Sequence, residues 1–471
     1  MNLNETHDPS RRSWLQSANH PDTDFPIQNL PLGIFREGGI ARGGTAIGDR
    51  IFDLAAALDL GFLSGEAANA ARAAAGDTLN PLMALGSRPA SALRARLSDL
   101  LRADGPERRR VESHANRLLV PMSSAEMLLP AKIGNFTDFV CSTFHAQRAV
   151  RKPLDSPLAP VLTYMPVAYH GRASSIRVSG EDIRRSQGQF KDSEGVVLFG
   201  PSKALDFELE VGAFVSTGNP LGSSIPIESA ASHIFGYCLL NDWSARDVQF
   251  WESMLGPFLS KSLSTTISPW IVSPEALAPF RAAVFRPTQP DWPSPLAYLD
   301  SESDRAEGGI DIELEAHLST SGMRESGEAP VRIVTTNFKY AYWSFAQMIA
   351  HHTSNGCNLQ PGDLLGSGTV SGPMDDSRAC FMEHTEPLQL PHGESRRYLE
   401  DGDEVIFKAR AKREGYVPVG FGECRAHVGS TDECALGSHQ SQDRGCEVSF
   451  NGCYQGSPYV SYVAPRSDGA R

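Results

Sequence analysis

What the chain lacks narrows its possibilities first. No stretch approaches the roughly 20 apolar residues needed to cross a bilayer. The start, Met1-Asn2-Leu3-Asn4-Glu5-Thr6-His7, has no apolar segment of the kind a secretion signal carries, so a cytoplasmic location is expected. The 8 cysteines include no C-x-x-C pair and are too sparse for a disulfide scaffold, which makes reduced thiols the default. Cys434, His439, Cys446 and Cys453 are the one grouping that suggests zinc, but their spacing fits no standard finger. No long basic run offsets a net charge of -13, so nucleic acid and anionic membranes are not expected partners. An anionic substrate would need a locally positive pocket. No internal repeat is found. What remains is an ordinary globular composition, 41% hydrophobic and 21% charged, in 471 residues, long enough for two domains and a large core.

From Asp24 to about Asp53 the pattern is one of short strands and turns. Phe25-Pro26-Ile27 opens it, Gly33-Ile34-Phe35 follows, Gly43-Gly44 marks a turn, and Thr45 to Phe52 resembles a hairpin with a Gly48-Asp49 corner. Helices are expected over Glu66 to Ala75 and where Leu93, Leu97, Leu100 and Leu101 share one face. Pro121 and Pro130 bracket a boundary. Beyond it the signals are mainly strand, with one helix carrying Phe338, Tyr342, Phe345 and Ile349 and stopping near Asn355-Gly356. Asp403 to Ala409 returns to strand. The expected organisation is a leader over 1–22, a β domain with helices over 23–125, a mainly β (α+β) catalytic domain over 126–429, and a flexible polar tail over 430–471.

Four features carry chemistry. His145 lies seven residues after Asp138, and an imidazole, with an unperturbed pKa of about 6.5, accepts a proton at neutral pH without help. Asp206, Glu208 and Glu210 alternate with apolar residues and so share one face of a strand, where a divalent cation would relieve their repulsion. The apolar run Ile234 to Leu240 delivers Asp242 at its end. Asp138, Glu208, Glu210 and Asp242 would make an all-oxygen site suited to Mg²⁺, Ca²⁺ or Mn²⁺ rather than Zn²⁺. Arg246, Gln249 and Lys261 follow within twenty residues of Asp242, donors of the kind that stabilise a developing negative charge. Gly366 to Pro373 is a small-residue loop able to bring backbone close to a ligand. Each has a blander alternative: a solvated strand, surface cations, a structural turn.

At these residues the chain resembles the fumarylacetoacetate hydrolase family. The resemblance runs from Asp24-Phe25-Pro26-Ile27 to about Gly422-Glu423-Cys424, strongest at Tyr169 to Ser175, Asn241 to Asp247, His351 to Leu359 and Gly368 to Pro373. It implies a homodimer with a small N-terminal SH3-like barrel and a larger β-roll holding the active site. It also implies hydrolysis of a carbon-carbon bond in a β-diketo acid, the last step of phenylalanine and tyrosine breakdown. Matched by motif, Asp138, Glu208, Glu210 and Asp242 are calcium ligands, and Asp242, Lys261 and Thr265 group around magnesium. His145 is the general base, oriented by Glu383. Arg246, Gln249 and Lys261 line the site, and Tyr169, Gln249 and Thr369 contact substrate. A metal polarises the diketone, His145 activates water, and the carbanion leaves as an enolate.

The chain departs from that pattern near the substrate. Val140 and Ser253 stand where the family has tyrosines, Ser264 replaces a glycine, and Arg148 and Arg151 are both candidates for the substrate arginine. The metal and base positions persist, so the expectation is a working hydrolase of fumarylacetoacetate, with a different acylpyruvate or diketo acid as the alternative substrate. Competing expectations are a 2-keto acid lyase with the same metal face, and a catalytically silent binding protein. A Cys141–His145 nucleophile, facing one another on a helix, is a further alternative.

Overall fold

The computed structural model describes residues 3–154, 156, 158–287 and 292–431. The tail and the Cys434, His439, Cys446 and Cys453 grouping lie outside them. No described helix is long and apolar enough to cross a membrane.

A five-stranded antiparallel sheet forms first, in the order Leu119–Pro121, Arg50–Asp53, Ile40–Ile47, Leu32–Glu37, Glu126–Leu128. The Gly48-Asp49 corner is a hairpin turn, with Gly48 at positive φ. Gly43-Gly44 is not a turn but lies inside a strand, and the chain reverses at Gly38-Gly39, both at positive φ. A Cβ on Gly43 would stand 2.2 Å from the carbonyl oxygen of Ala74. That glycine therefore admits a neighbouring backbone. Phe25-Pro26-Ile27 forms no strand.

Helices Gly65–Ala73 and Ser87–Leu101 cover this sheet, and Leu93, Leu97, Leu100 and Leu101 are buried as their spacing predicts. Residues 4–19 are tied to the rest of the described chain by hydrogen bonds. Ser13 Oγ donates to Leu101 O at 3.0 Å, Trp14 Nε1 to Leu100 O at 3.1 Å and Asn4 Nδ2 to Glu275 Oε1 at 2.7 Å.

The larger part is built on a mixed seven-stranded sheet, ordered Ala168–Gly171, Phe136–Phe139, Leu364–Gly366, Leu209–Val215, Ile234–Asp242, Thr265–Ile267, Ile176–Val178. A five-stranded sheet over Val331–Asn337, Ile312–Ser319, Glu404–Ala411, Val419–Gly429 and Ile183–Arg184 packs against it, sharing a core of Leu209, Val211, Leu239, Leu314 and Phe407. The other face of the seven-stranded sheet joins the N-terminal core through Phe214, Leu240 and Leu364. Buried on both faces, Ile234–Asp242 is apolar along most of its length.

The helix expected to run from Phe338 to Ile349 is shorter. Phe338–Tyr340 is a separate turn, and Phe345–Thr353 starts at Ser344, whose side chain accepts from Gln347 N while Gln347 Oε1 accepts from Ser344 N. That reciprocal cap ends the helix on its N-terminal side and overrides the apolar spacing.

Candidate active site

The site lies where four neighbouring strands end. Register pairs Asp138 with Tyr169 and Gly366, and Asp242 with Thr265, while Leu209 opposes Asn241 and so sets Glu208 and Glu210 beside them. Asp138, Glu208, Glu210 and Asp242 are all buried, with ligand oxygens within 4.8 Å of one another. Two glycines make that convergence possible. A Cβ on Gly366 would lie 2.3 Å from Asp138 Oδ1 and 3.0 Å from Glu210 Oε2, and one on Gly368, at positive φ, would lie 1.9 Å from Phe139 O. Gly368 N then donates to Asp138 Oδ1 at 3.1 Å and Glu210 Oε2 at 3.0 Å.

Asp206 is not part of this face. The strand breaks at Phe207 and Glu208, and Asp206 accepts from Arg246 Nε at 2.9 Å and from the backbone of Phe381 and Met382. A solvated strand is excluded for all three acids, since each is buried.

Burial first, then the neighbouring carboxylates, pushes Asp138, Glu210 and Asp242 above the ordinary carboxylate range. Burial acts on Glu208 too, but Lys261 and Arg246 beside it hold it below that range. Lys261 Nζ sits 2.6 Å from Glu208 Oε2 and 2.7 Å from Asp242 Oδ2. An ammonium has no lone pair to give, so the Lys261 side chain acts as a charge partner of the cluster. Thr265 Oγ1 and Tyr169 Oη both donate to Asp242, at 3.0 and 2.6 Å. Glu210 Oε1 is buried without a hydrogen-bond partner among the described residues. A buried, oxygen-only, over-acidic cluster with an unmet acceptor fits a hard divalent cation.

A second constellation faces the same cavity. Ser142 caps the helix Thr143–Ala149, accepting from His145 N at 3.2 Å and donating to Ser371 O at 2.8 Å. His145 Nδ1 lies 2.7 Å from Glu383 Oε1. An ionised carboxylate only accepts, so Nδ1 carries the proton and Nε2 keeps its lone pair. Ser371 Oγ also donates to Glu383 Oε1, and Arg148 Nη1 donates to Oε2 at 3.2 Å. Burial raises Glu383, but the His145 and Ser371 hydrogen bonds and the Arg148 charge bring it below the ordinary range.

These contacts bear on the two arginines and on Cys141. Arg148 holds Glu383 and donates to Met374 O at 2.9 Å, while Arg151 is exposed and donates to His384 O at 3.2 Å. Neither lines the cavity. Cys141 precedes the helix instead of facing His145 on it, contacts Gly368 O at 3.9 Å, and is pushed up to about 12 by burial. The cysteine near the base is Cys380, 4.0 Å from His145 Nδ1. No local pattern in the sequence marks it, nor Ser371 as a donor to Glu383.

The cavity has a volume of about 720 Å³. His145, Asp138, Glu208, Arg246, Gln249 and Lys261 line it, as do Tyr169, Thr369, Val140 and Ser253. Arg246 Nη1 donates to Gln249 Oε1 at 3.0 Å and lies 2.7 Å from Glu208 Oε1. Arg246 Nη2 and Thr369 Oγ1 are buried with no partner among the described residues. Burial and the Asp242 charge keep the Tyr169 phenol protonated.

Comparison with known proteins matches residues 135–429 to the family described as fumarylacetoacetate (FAA) hydrolase C-terminal, and residues 28–130 to fumarylacetoacetase N-terminal. The fumarylacetoacetase of Oryza sativa subsp. japonica is 45% identical over 429 residues, 88% of this chain and 97% of that protein. Those of Caenorhabditis elegans and Homo sapiens are 45% identical over 420 residues and 43% over 417, each covering 86% of this chain and 97% and 96% of their own.

Proposed function

The chain belongs to the fumarylacetoacetate hydrolase family, and from that premise we propose that it hydrolyses a carbon-carbon bond in a β-diketo acid. The reference substrate is fumarylacetoacetate, cleaved to fumarate and acetoacetate at the end of phenylalanine and tyrosine breakdown. One observation carries this: His145, held by Glu383, lines one cavity together with Asp138 and Glu208 of the four-carboxylate cluster.

His145 Nε2 takes a proton from water, and the hydroxide adds to the carbonyl facing it. Glu383 fixes the tautomer and balances the imidazolium that forms. Arg246 Nη2, which has no partner among the described residues, would donate to the oxyanion, with Lys261 adding to the positive field and Gln249 positioned by Arg246 Nη1. Removing one such donor typically costs roughly 3 to 4 kcal/mol in the barrier. Tyr169 and Thr369 supply hydroxyls to the substrate. Asp138, Glu208, Glu210 and Asp242 would hold Ca²⁺ or Mg²⁺, with Mn²⁺ as an alternative, and Thr265 would steady Asp242. When bound, the cation supplies Lewis-acid polarisation of the diketone. In the family frame the N-terminal sheet is the SH3-like barrel, the larger part is the β-roll, and the protein works as a cytoplasmic homodimer.

The test is purified full-length protein with Mg²⁺ or Ca²⁺ and fumarylacetoacetate or an acylpyruvate. Two acids per turnover and no CO₂ are expected, and H145A should bind the diketo acid without cleaving it. Release of CO₂, or undiminished cleavage by H145A, defeats the hydrolase mechanism.

A further inference from the structure

We propose that Asp206 is a positioning residue for the hydrolysis, a single carboxylate that aims the Arg246 guanidinium and fixes the turn carrying Glu383. This rests on the hydrolase reading above. Asp206 is fully buried, stands apart from the four-carboxylate cluster and does not line the cavity. Four N–H donors surround it. Oδ1 accepts from Phe207 N at 2.9 Å and Phe381 N at 2.7 Å, and Oδ2 from Arg246 Nε at 2.9 Å and Met382 N at 3.0 Å. The carboxylate is thus a junction of three segments: its own strand, the helix Arg246–Glu252 and the turn Phe381–Glu383.

The arginine arm works through planarity. A guanidinium presents its N–H groups in one rigid plane. Asp206 holds Nε, while Glu208 and Gln249 hold Nη1. With two of its three nitrogens tied to different segments, the plane cannot turn about its stem. Nη2, the nitrogen without a partner among the described residues, is left with one direction. The backbone reinforces this, because Leu205 and Asp206 pair with Ala245 and Ser244, and Arg246 N donates to Ala204 O at 2.9 Å.

The Glu383 arm works through capping. The first N–H groups of a helical turn have no partner within it. Cys380, at the N-cap of Phe381–Glu383, supplies no side-chain bond, and Asp206 takes Phe381 N and Met382 N instead, from a strand 175 residues away in sequence. Phe207 packs edge-on against Phe381, with ring centroids 5.1 Å apart, so the same strand also holds the turn by contact. Glu383 ends that turn, and its Oε1 meets His145 Nδ1 at 2.7 Å. A misplacement of about 1 Å transmitted to reacting groups can cost about 10²-fold in rate.

The experiment is D206N in the full chain, with Mg²⁺ and fumarylacetoacetate. Asparagine keeps the shape but sets an N–H donor among donors. The kcat should fall by about 10²-fold, with KM and Mg²⁺ affinity within about threefold of the parent. A double-mutant cycle separates aiming from general loosening. R246Q and E383Q each lack the object of one arm, so D206N should cost only about tenfold in either background. D206N/R246Q leaves no buried guanidinium unpaired, so its comparison with R246Q reads the Glu383 arm even where D206N alone does not fold. An unchanged kcat in D206N, equal activity of D206N/R246Q and R246Q, a loss of one size in all three backgrounds, or a loss carried by KM or Mg²⁺ affinity overturns the proposal and leaves the hydrolase reading standing. A parent that cleaves neither fumarylacetoacetate nor an acylpyruvate overturns both.

Discussion

The two acidic constellations in this cavity are equally buried and differently resolved. Glu383 has a cation or a hydroxyl on each oxygen, and its ionised form is favoured. Asp138, Glu210 and Asp242 have one ammonium to share with Glu208, and burial and mutual repulsion push all three above the ordinary carboxylate range. The contrast separates two ways of keeping carboxylates out of water. Where partners come from the chain, the charge is fixed in place and can orient a base. Where they do not, the cluster is left over-acidic, and its oxygen-only chemistry suits a divalent cation.

The largest effect should come from breaking the completed pair. In E383Q the carboxylate that balances the His145 imidazolium is gone, and turnover should fall by about 10² to 10⁴. Cation affinity should stay within about threefold of the parent, measured by calorimetry with Mg²⁺ or Ca²⁺. A matching loss of cation affinity would mean the two constellations are one unit.

The next effect sharpens the difference at the incomplete cluster. Saturating Ca²⁺ or Mg²⁺ at about 100 times its dissociation constant should stabilise the fold by about 2.7 kcal/mol. In E210Q that gain should largely vanish, while the cation-free variant should be no less stable than the cation-free parent, because a like charge has been removed from a buried group of four. Thermal midpoints with and without chelator read this directly.

The pH dependence should have opposite signs in the two places. Asp138, Glu210 and Asp242 are raised in the folded state, so their contribution to stability is fully present below the unfolded values, about 4, and is lost as pH rises through the raised ones. Glu383 is lowered, so its contribution is present above about 4.3 and is lost as pH falls through its folded value. Chelated protein should therefore lose stability on going from mildly acidic to alkaline pH, and saturating cation should flatten that slope. Denaturant midpoints against pH, in chelator and in Mg²⁺, are the measurement.

The same contrast explains what was legible in the sequence. An acid at the end of an apolar run, and alternating acids in the next strand, are local patterns, and Asp242, Glu208 and Glu210 follow from them. Asp138 and His145 are bound by a short stretch of chain. Glu383 is different, since it lies 238 residues from His145 and no local period links them. Only the family resemblance pointed to that pair. The sequence likewise carries no mark of a place where a side chain is forbidden. Gly366 looks like part of a flexible loop until Asp138 and Glu210 are seen packed where its Cβ would be. Gly43 reads as a turn residue for the same reason, yet it sits inside a strand against Ala74 O. Asp206 matched the alternation in pattern, and Arg246, buried beside it, drew it off the common face. Apolar spacing alone starts the helix at Phe338, whereas the Ser344–Gln347 cap starts it at Phe345.

The smallest effect tests how complete the completed pair is. Cys380 Sγ lies 3.6 Å from Glu383 Oε1, third in order after the His145 ring and the Ser371 hydroxyl. Burial, and then the Glu383 charge, push the thiol well above its ordinary range, so at neutral pH it is an un-ionised, weak donor. Removing it in C380A leaves the stronger donors in place, and kcat should change by less than about threefold, below the roughly 1 kcal/mol of an ordinary hydrogen bond. S371A removes one of those stronger donors and should cost more. Since Cys380 is also fully buried, alkylating reagents should leave activity intact in the native protein. If C380A instead matched S371A in kcat, the thiol would rank with the hydroxyl in fixing Glu383, and the pair would need all three of its donors to orient His145.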